Sequence, residues 1–310
     1  MSSFVAVAGA AGDLGARIAI ELRRRNVAVK ALVRLGTAAS RTQKLRDAGV
    51  SIVEVDMSDV PSILKAVTGA TTVVSALQGL RDVMLGVQGR LLEASVAANV
   101  QRFIPSDFAL DFTKTTPGSN RNLDLHREFH TKLDASGIRW TSVLNGGFME
   151  FVVGGQMPII NDKWHRIIYF GNVDQKQDYT MIPDVAAYTA AVAADPNPTP
   201  KFLRIAGSSF NAKELAAIVT KVRGEQYKPM WIGSVGFLRG IISVLKFVIG
   251  GEDTKIMPPW QGIQYMENIF SGKGKLDPLD NDRYPDLKWT TVEKALTEAD
   301  AERKMNKKSL

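Results

Sequence analysis

The stretch that most constrains the fold is a glycine-rich turn near the start of the chain. Before it, the run 4–8 is continuously apolar, which is typical of a strand buried on both faces of a sheet. The turn has the pattern Gly-x-x-Gly-x-x-Gly, at Gly9, Gly12 and Gly15. One glycine permits a tight turn, another lets backbone N–H groups approach a pyrophosphate, and the third lets a helix pack against the strand. The sequence therefore predicts a strand, a phosphate-binding turn and a helix.

Apolar strand patterns then alternate with helical patterns. The later strands are expected over 28–34, 51–56, 71–77 and the run that begins at Arg102. This alternation predicts an α/β fold with a doubly wound parallel Rossmann sheet. We expect an NAD(P)-binding Rossmann domain over residues 1–150 and a smaller C-terminal substrate lobe over 151–310, from which about 172–206 returns to the Rossmann sheet.

The end of the second strand indicates which dinucleotide would bind. An acidic residue about 20 positions beyond the glycine loop binds the ribose of NAD, but this chain has Arg34 there. A guanidinium suits the 2′-phosphate of NADPH, and Lys44 adds positive charge nearby. A solvated strand-end arginine is the alternative interpretation. The predicted cofactor contacts in these loops are Gly9, Ala11, Gly12, Asp13, Leu14, Gly15, Arg34, Lys44, Asp56, Ser75, Ala76, Leu77 and Gln78.

Composition argues against several other classes of protein. The chain has no cysteine, which excludes a disulfide framework and a thiolate nucleophile. Its net charge is +7, but the basic residues do not interleave with aromatic ones, so no nucleic-acid partner is expected. The first strand begins after three residues, and we therefore expect no secretory leader and a cytoplasmic location.

Several motifs in order carry a resemblance to a known family. They are the glycine loop, Arg34, the run 102–108 (Arg-Phe-Ile-Pro-Ser-Asp-Phe), the run 137–148 with Asn-Gly-Gly-Phe at its end, and 179–186 (Tyr-Thr-Met-Ile-Pro-Asp-Val-Ala). Together they resemble the NmrA-like and isoflavone reductase-like branch of atypical short-chain dehydrogenases. The resemblance implies NADPH binding, hydride transfer to small aromatic or conjugated molecules, and further cofactor contacts at Ser106, Asn145 and Phe148.

The predicted helix over 123–136 carries the candidate catalytic residue. Reductases of this branch have a catalytic lysine where this chain has His126. Lys132 is expected on another face, where it could pair with Glu128. His126 and His130 have the i, i+4 spacing of a metal pair, but no third ligand follows, so we expect no metal and a structural role for His130.

The region after residue 148 is expected to bind the substrate. The candidate pocket residues are Phe148, Met149, Phe151 and Trp260. The apolar segment 236–251 is shorter than a membrane span and contains Arg239 and Lys246. We therefore expect no membrane span and interpret this segment as a core or pocket-lining helix.

These observations leave three hypotheses. In the first, the protein is an NADPH-dependent oxidoreductase that transfers hydride to an enone, quinone or phenolic derivative and uses His126 as a proton donor. In the second, hydride passes to a quinone without any protein acid. In the third, the protein is a non-catalytic NADP-sensing regulator of NmrA type that acts through a regulatory protein partner. Only this third hypothesis requires a protein partner in addition to small molecules.

Overall fold

The computed structural model describes residues 3–250 and 254–308, which form two compact units. Each unit is assembled from several segments of the chain. The first comprises Met1–Phe108, Asn122–Leu144 and Val185–Leu203, and the second comprises Ala109–Arg121, Asn145–Asp184 and Arg204–Leu310.

The first unit is built on a five-stranded parallel sheet in the order β3-β2-β1-β4-β5. All five residues of β1 are buried, as expected for the central strand of a sheet that is covered on both faces. The expected parallel Rossmann sheet is therefore confirmed. The strands are β1 (Phe4–Ala8), β2 (Val29–Arg34), β3 (Ser51–Val55), β4 (Ala70–Ser75) and β5 (Arg102–Ile104).

Helices follow the strands in the order that the sequence predicted. They are α1 (Asp13–Arg24), the short α2 (Gln43–Asp47), α3 (Val60–Val67), α4 (Gln88–Ala97) with a π-helical turn before it over Asp82–Val87, and α5 (Arg121–Ala135). Helix α3 begins at Val60 because Asp59 caps it by accepting a hydrogen bond from the Ser62 N–H. Beyond β5, Phe103 bridges to Trp140, and β6 (Ser142–Leu144) pairs with β11 (Phe202–Arg204).

The second unit contains two small sheets. One has the order β12-β10-β7, and the other has the order β13-β9-β8. Their strands are β7 (Gly147–Phe148), β8 (Ile160–Asn161), β9 (Arg166–Phe170), β10 (Gln177–Thr180), β12 (Ser208–Phe210) and β13 (Lys228–Gly233). The remaining α-helices of the described residues are α6 (Met149–Val153), α7 (Ile182–Ala194), α8 (Ala212–Arg223), α9 (Val235–Ile249), α10 (Pro259–Phe270) and α11 (Val292–Lys308). Asn211 caps α8 with Glu214 in a capping box.

The compact units have different bounds from the predicted domains. Segment 109–121 precedes the predicted boundary at 150 but clusters with the second unit, because Asp111 accepts a 2.7 Å hydrogen bond from Arg204 and its N–H donates to Gly274. Within 172–206, only 185–203 clusters with the first unit.

Helix α9 is far more exposed than its apolar sequence suggested. Only Leu238 and Ile242 are buried, while the side chain of Phe247 is 92% exposed. The interpretation of α9 as a core helix is therefore wrong, and its alternative as a pocket-lining helix stays a prediction. A largely apolar helix buries only the face that packs on a neighbour, here α10. Within the described ranges, none of the helices is both long and apolar enough to cross a membrane.

Candidate functional site

The glycine loop forms the turn between β1 and α1 in the first unit. Gly9 has a φ of +78°, and a Cβ there would lie 2.4 Å from the carbonyl oxygen of Ala76. A Cβ on Gly15 would lie 2.4 Å from the Gly9 carbonyl oxygen. Gly12 is different, because its backbone is extended and a Cβ would approach only one atom within 4 Å, the Gly9 oxygen at 3.3 Å. Two glycines are therefore required by the turn and its packing, while Gly12 faces open space at the start of α1.

The ends of β1, β4 and β5 meet beside this loop. The Ala76 N–H donates to Ala8, and the Ser106 hydroxyl donates a 2.6 Å hydrogen bond to the Leu77 carbonyl. Ser75 is fully buried, and its hydroxyl has no hydrogen-bond partner among the described residues. Gln78 is exposed. The strand order reverses direction between β1 and β4, which is where open α/β sheets bind ligands.

Basic residues continue the site along the edge formed by β2 and β3. Arg34 is exposed at the end of β2, and Lys44 is exposed on α2. Arg41 donates a 3.2 Å hydrogen bond to the carbonyl of Ala11, which ties it to the glycine loop. Asp56 follows β3, where hydrogen bonds from the Ser58 hydroxyl and N–H lower the pKa of its carboxyl group.

A buried carboxylate lies in the loop after β5. Asp107 is fully buried, and its Oδ2 accepts hydrogen bonds from Ser142 Oγ at 2.7 Å and from His130 Nε2 at 2.6 Å. Its other oxygen, Oδ1, lies 3.1 Å from Nδ1 of His126. Burial raises the pKa of Asp107, but the charges and hydrogen bonds of the two histidines outweigh burial, so that the pKa is lowered overall. The first unit therefore holds an ionised carboxylate between two imidazole rings.

The two histidines differ in their surroundings. The His130 ring stacks on Phe202, with ring centroids 5.3 Å apart, and meets Trp140 edge to face at 4.6 Å. These contacts fit the structural role predicted for His130. His126 and His130 both contact Asp107 at hydrogen-bond distances, and in the described part of the chain no group of three or more His, Asp or Glu side chains is arranged to hold a metal ion.

The surface ion pair expected on α5 has a different partner. Glu128 accepts two hydrogen bonds from Arg81, at 2.6 and 2.7 Å, so its carboxylate does not depend on Lys132. Lys132 lines a surface cavity with residues of α4, while His126 contacts Asp107. The two residues therefore lie on different faces of α5, as their spacing predicted.

The other candidates lie in the second unit. Asn145 is fully buried, and its N–H donates to the carbonyl of Ala109. Phe148 and Phe151 form an edge-to-face pair with ring centroids 6.3 Å apart, and Phe151 is 46% exposed. Met149 is buried at the start of α6. The roles of these residues in cofactor and substrate binding stay predictions.

Trp260 is the last pocket candidate. Its side chain is fully buried, and its Nε1 donates to the Gly250 carbonyl at 2.8 Å. The charged groups of Arg121 and Lys246 lie over its ring at 4.9 and 4.8 Å. These contacts explain the burial of Trp260 by packing within the second unit, and its role in a substrate pocket stays a prediction.

Sequence reasoning missed the acid that contacts His126 and the serine that binds this acid. Asp107 appeared only as part of a motif, and Ser142 was not considered as a site residue. The available signal was the pair of histidines one helical turn apart, which could have prompted a search for a shared acid. That acid is 23 residues from His130 and 35 from Ser142, so no local pattern reveals the cluster.

Comparison with known proteins decides the family. The model of the NmrA-like family matches residues 1–294. The chain belongs to the NmrA-like family.

Relatives of this NmrA-like chain include named reductases. It is 28% identical over 319 residues to the isoflavone reductase homolog IRL of Zea mays, covering 95% of this chain and 97% of that protein. It is also 28% identical over 311 residues to pinoresinol reductase 1 of Arabidopsis thaliana, covering 93% and 94%. The NADPH-dependent quinone oxidoreductase QOR2 of Escherichia coli, solved in complex with NADPH, has a similar fold, with a TM-score of 0.75, 21% identity and coverage of 95% and 99%.

Proposed function

We propose that this protein is an NADPH-dependent oxidoreductase that reduces a small conjugated or aromatic acceptor such as an enone, a quinone or a phenolic derivative. The observation that carries the proposal is that one unit contains both a glycine loop with open space at Gly12 and a histidine, His126, in contact with the buried carboxylate of Asp107. A dinucleotide site explains the first feature, and proton transfer explains the second. Relatives named as reductases support the same reaction class.

The residues of the first unit fit NADPH. Gly12 leaves room at the N-terminus of α1, where unpaired backbone N–H groups favour a pyrophosphate. Arg34 supplies a guanidinium at the end of β2, with Lys44 and Arg41 near it in sequence, and these cations suit a 2′-phosphate. Bound NADPH supplies the hydride, and the chain binds and orients it.

We assign proton donation to His126. Reduction of a conjugated carbonyl leaves negative charge on oxygen, and a positioned acid that protonates this oxygen speeds the reaction by about 10²–10⁴-fold. Both histidines contact the buried carboxylate of Asp107, but the ring of His130 also packs against Phe202 and Trp140. This packing fits an anchoring role for His130, so we take His126 as the proton donor.

The proposal is tested by measuring consumption of NADPH by the purified protein with a panel of enones, quinones and phenolic derivatives. We expect turnover of at least one class. His126→Ala should lower kcat by at least about a hundredfold and leave the Kd for NADPH within about twofold. His165→Ala is the matched control, because His165 is an exposed histidine of the second unit, and it should leave kcat unchanged.

Each other outcome rejects part of the proposal. Full turnover by His126→Ala would favour hydride transfer without a protein acid. Tight binding of NADPH without reduction of any acceptor would reject the enzyme and favour a sensor that acts through a partner protein. Absence of NADPH binding would reject the site itself.

A further inference from the structure

The arrangement around Asp107 fixes which nitrogen of each histidine faces the carboxylate. Nδ1 of His126 lies 3.1 Å from Oδ1, whereas Nε2 of His130 lies 2.6 Å from Oδ2. An ionised carboxylate only accepts hydrogen bonds, so a ring nitrogen that binds it must carry a proton. His126 Nδ1 and Asp107 Oδ1 are close enough for a hydrogen bond, but the two groups are not aligned for one. Such misalignment is common for catalytic pairs before the substrate binds.

The charge on Asp107 needs these partners. The side chain is fully buried, and an ionised carboxylate in such a place is stable only when it is paired and hydrogen-bonded. Ser142 and His130 together supply two short hydrogen bonds to Oδ2, which leaves Oδ1 facing His126. The lowered pKa of Asp107 agrees with a permanent charge at this position.

The aromatic contacts separate the roles of the two histidines. His130 is confined between Phe202 and Trp140, and it serves as an anchor for Asp107. His126 faces the same carboxylate with its Nδ1, whereas His130 faces it with Nε2. A proton on Nδ1 of a neutral imidazole leaves Nε2 without one, so Nε2 becomes the nitrogen that exchanges protons.

We propose that Asp107 is a positioning residue that holds His126 as its Nδ1–H tautomer, so that Nε2 delivers the proton to the reduced acceptor. This inference rests on the proposed reductase function. When bound, NADPH would supply the hydride that adds to a carbon of the acceptor and would become NADP⁺, and the displaced π electrons would lie on the oxygen of the acceptor. The proton on Nε2 of the His126 imidazolium passes to that oxygen, which leaves a neutral Nδ1–H ring, and water returns the proton. Asp107 stays ionised throughout, as does the buried acid of a Ser-His-Asp triad.

The tautomer can be measured without any activity. The chain has three histidines, so the protein labelled with ¹⁵N at histidine gives a simple long-range ¹H–¹⁵N spectrum. Replacement of His130 and of His165 by Gln assigns the His126 signals. We expect the neutral His126 ring to be the Nδ1–H tautomer. The Nε2–H tautomer in the wild-type protein would overturn the proposal, and this holds even if the Asp107 variants do not fold.

Variants then connect the tautomer to turnover. Asp107→Asn should convert His126 to the Nε2–H tautomer and lower kcat by at least about a hundredfold, while KM and the Kd for NADPH change by less than about twofold. Asp107→Glu keeps the charge and should restore the Nδ1–H tautomer. Asp134→Asn is the matched control, because Asp134 is an exposed acid on α5, the helix that carries His126. This variant should leave the His126 tautomer and kcat unchanged.

Two results with the variants would also overturn the proposal. One is an Asp107→Asn protein that keeps the wild-type tautomer and kcat, and the other is an equal loss of kcat in Asp134→Asn. A wild-type protein that shows the Nδ1–H tautomer but reduces no acceptor would reject the reductase function and leave the positioning by Asp107 supported. The two failures are therefore distinguishable.

Discussion

Replacement of Gly12 by valine should abolish dinucleotide binding without unfolding the protein. The backbone of Gly12 has φ −90° and ψ 169°, an extended conformation that valine adopts readily. A Cβ would meet only the Gly9 oxygen at 3.3 Å, so we expect a loss of about 1 kcal/mol or less in the free energy of unfolding. The added methyl groups would instead fill the space from which backbone N–H groups reach the pyrophosphate.

The expected loss of affinity follows from the hydrogen bonds that would be blocked. A hydrogen bond to a charged group contributes about 1.5–3 kcal/mol. Two blocked bonds to the pyrophosphate should therefore raise the Kd for NADPH by at least about a hundredfold. The assay is a fluorescence titration with NADPH, combined with urea unfolding of the same preparation.

Gly9→Ala is the contrasting variant. Its Cβ would lie 2.4 Å from the Ala76 oxygen, in a backbone conformation with positive φ. Alanine in this left-handed conformation lowers the free energy of unfolding by about 1–2 kcal/mol, and the overpacking by its Cβ lowers it by about 1–3 kcal/mol more. This is a large share of the roughly 5–15 kcal/mol by which proteins are stable. Gly9→Ala should therefore lose stability, whereas Gly12→Val should lose binding. A folded Gly12→Val protein that binds NADPH as tightly as wild type would refute the role of the glycine loop in binding the pyrophosphate.

Two further predictions concern charge. We expect the wild-type protein to prefer NADPH over NADH by about ten- to a hundredfold in affinity, and Arg34→Asp should narrow or reverse this preference. Titration with both cofactors measures it. Equal affinities of the wild-type protein for NADPH and NADH would contradict the role of Arg34. Burial raises the pKa of Asp184 despite its hydrogen bonds from Thr290. The stability from this group is therefore present below its unfolded pKa and is lost as the pH rises through its folded pKa. In Asp184→Asn the amide oxygen can accept from the Thr290 N–H while the amide NH₂ donates to the Thr290 hydroxyl. This variant should be more stable than wild type at neutral pH, with the difference shrinking in acid. Urea unfolding at several pH values checks this, and a difference independent of pH would contradict it.

The fold of the first unit could be predicted because its signals are local. A continuous apolar run such as Phe4–Ala8 marks a buried strand, and the glycine spacing marks the turn after it. The second unit gave weaker signals, since β7 and β8 have only two residues each and cannot show a periodic pattern. Helix α9 was misjudged because most of its residues are apolar, and only tertiary packing decides which of them are covered.

The candidate site could be predicted only in part. Residues that share a loop, such as Gly9 and Gly12, are recognised from their spacing alone. The contact between Arg41 and Ala11 joins residues 30 positions apart, and the cluster at Asp107 joins the loop after β5 with α5 and β6. Such contacts depend on how the elements pack, so the sequence indicated His126 but not the acid that contacts it.

The central claim is that this chain transfers hydride from NADPH to a small molecule. The most direct test uses NADPH that carries deuterium at the transferred position of C4 and a conjugated enone that the protein reduces, with mass spectrometry of the product. We expect one deuterium bound to carbon in the product for each NADPH consumed. NADPH that binds but is never consumed, or that is consumed without deuterium in the product, would contradict it.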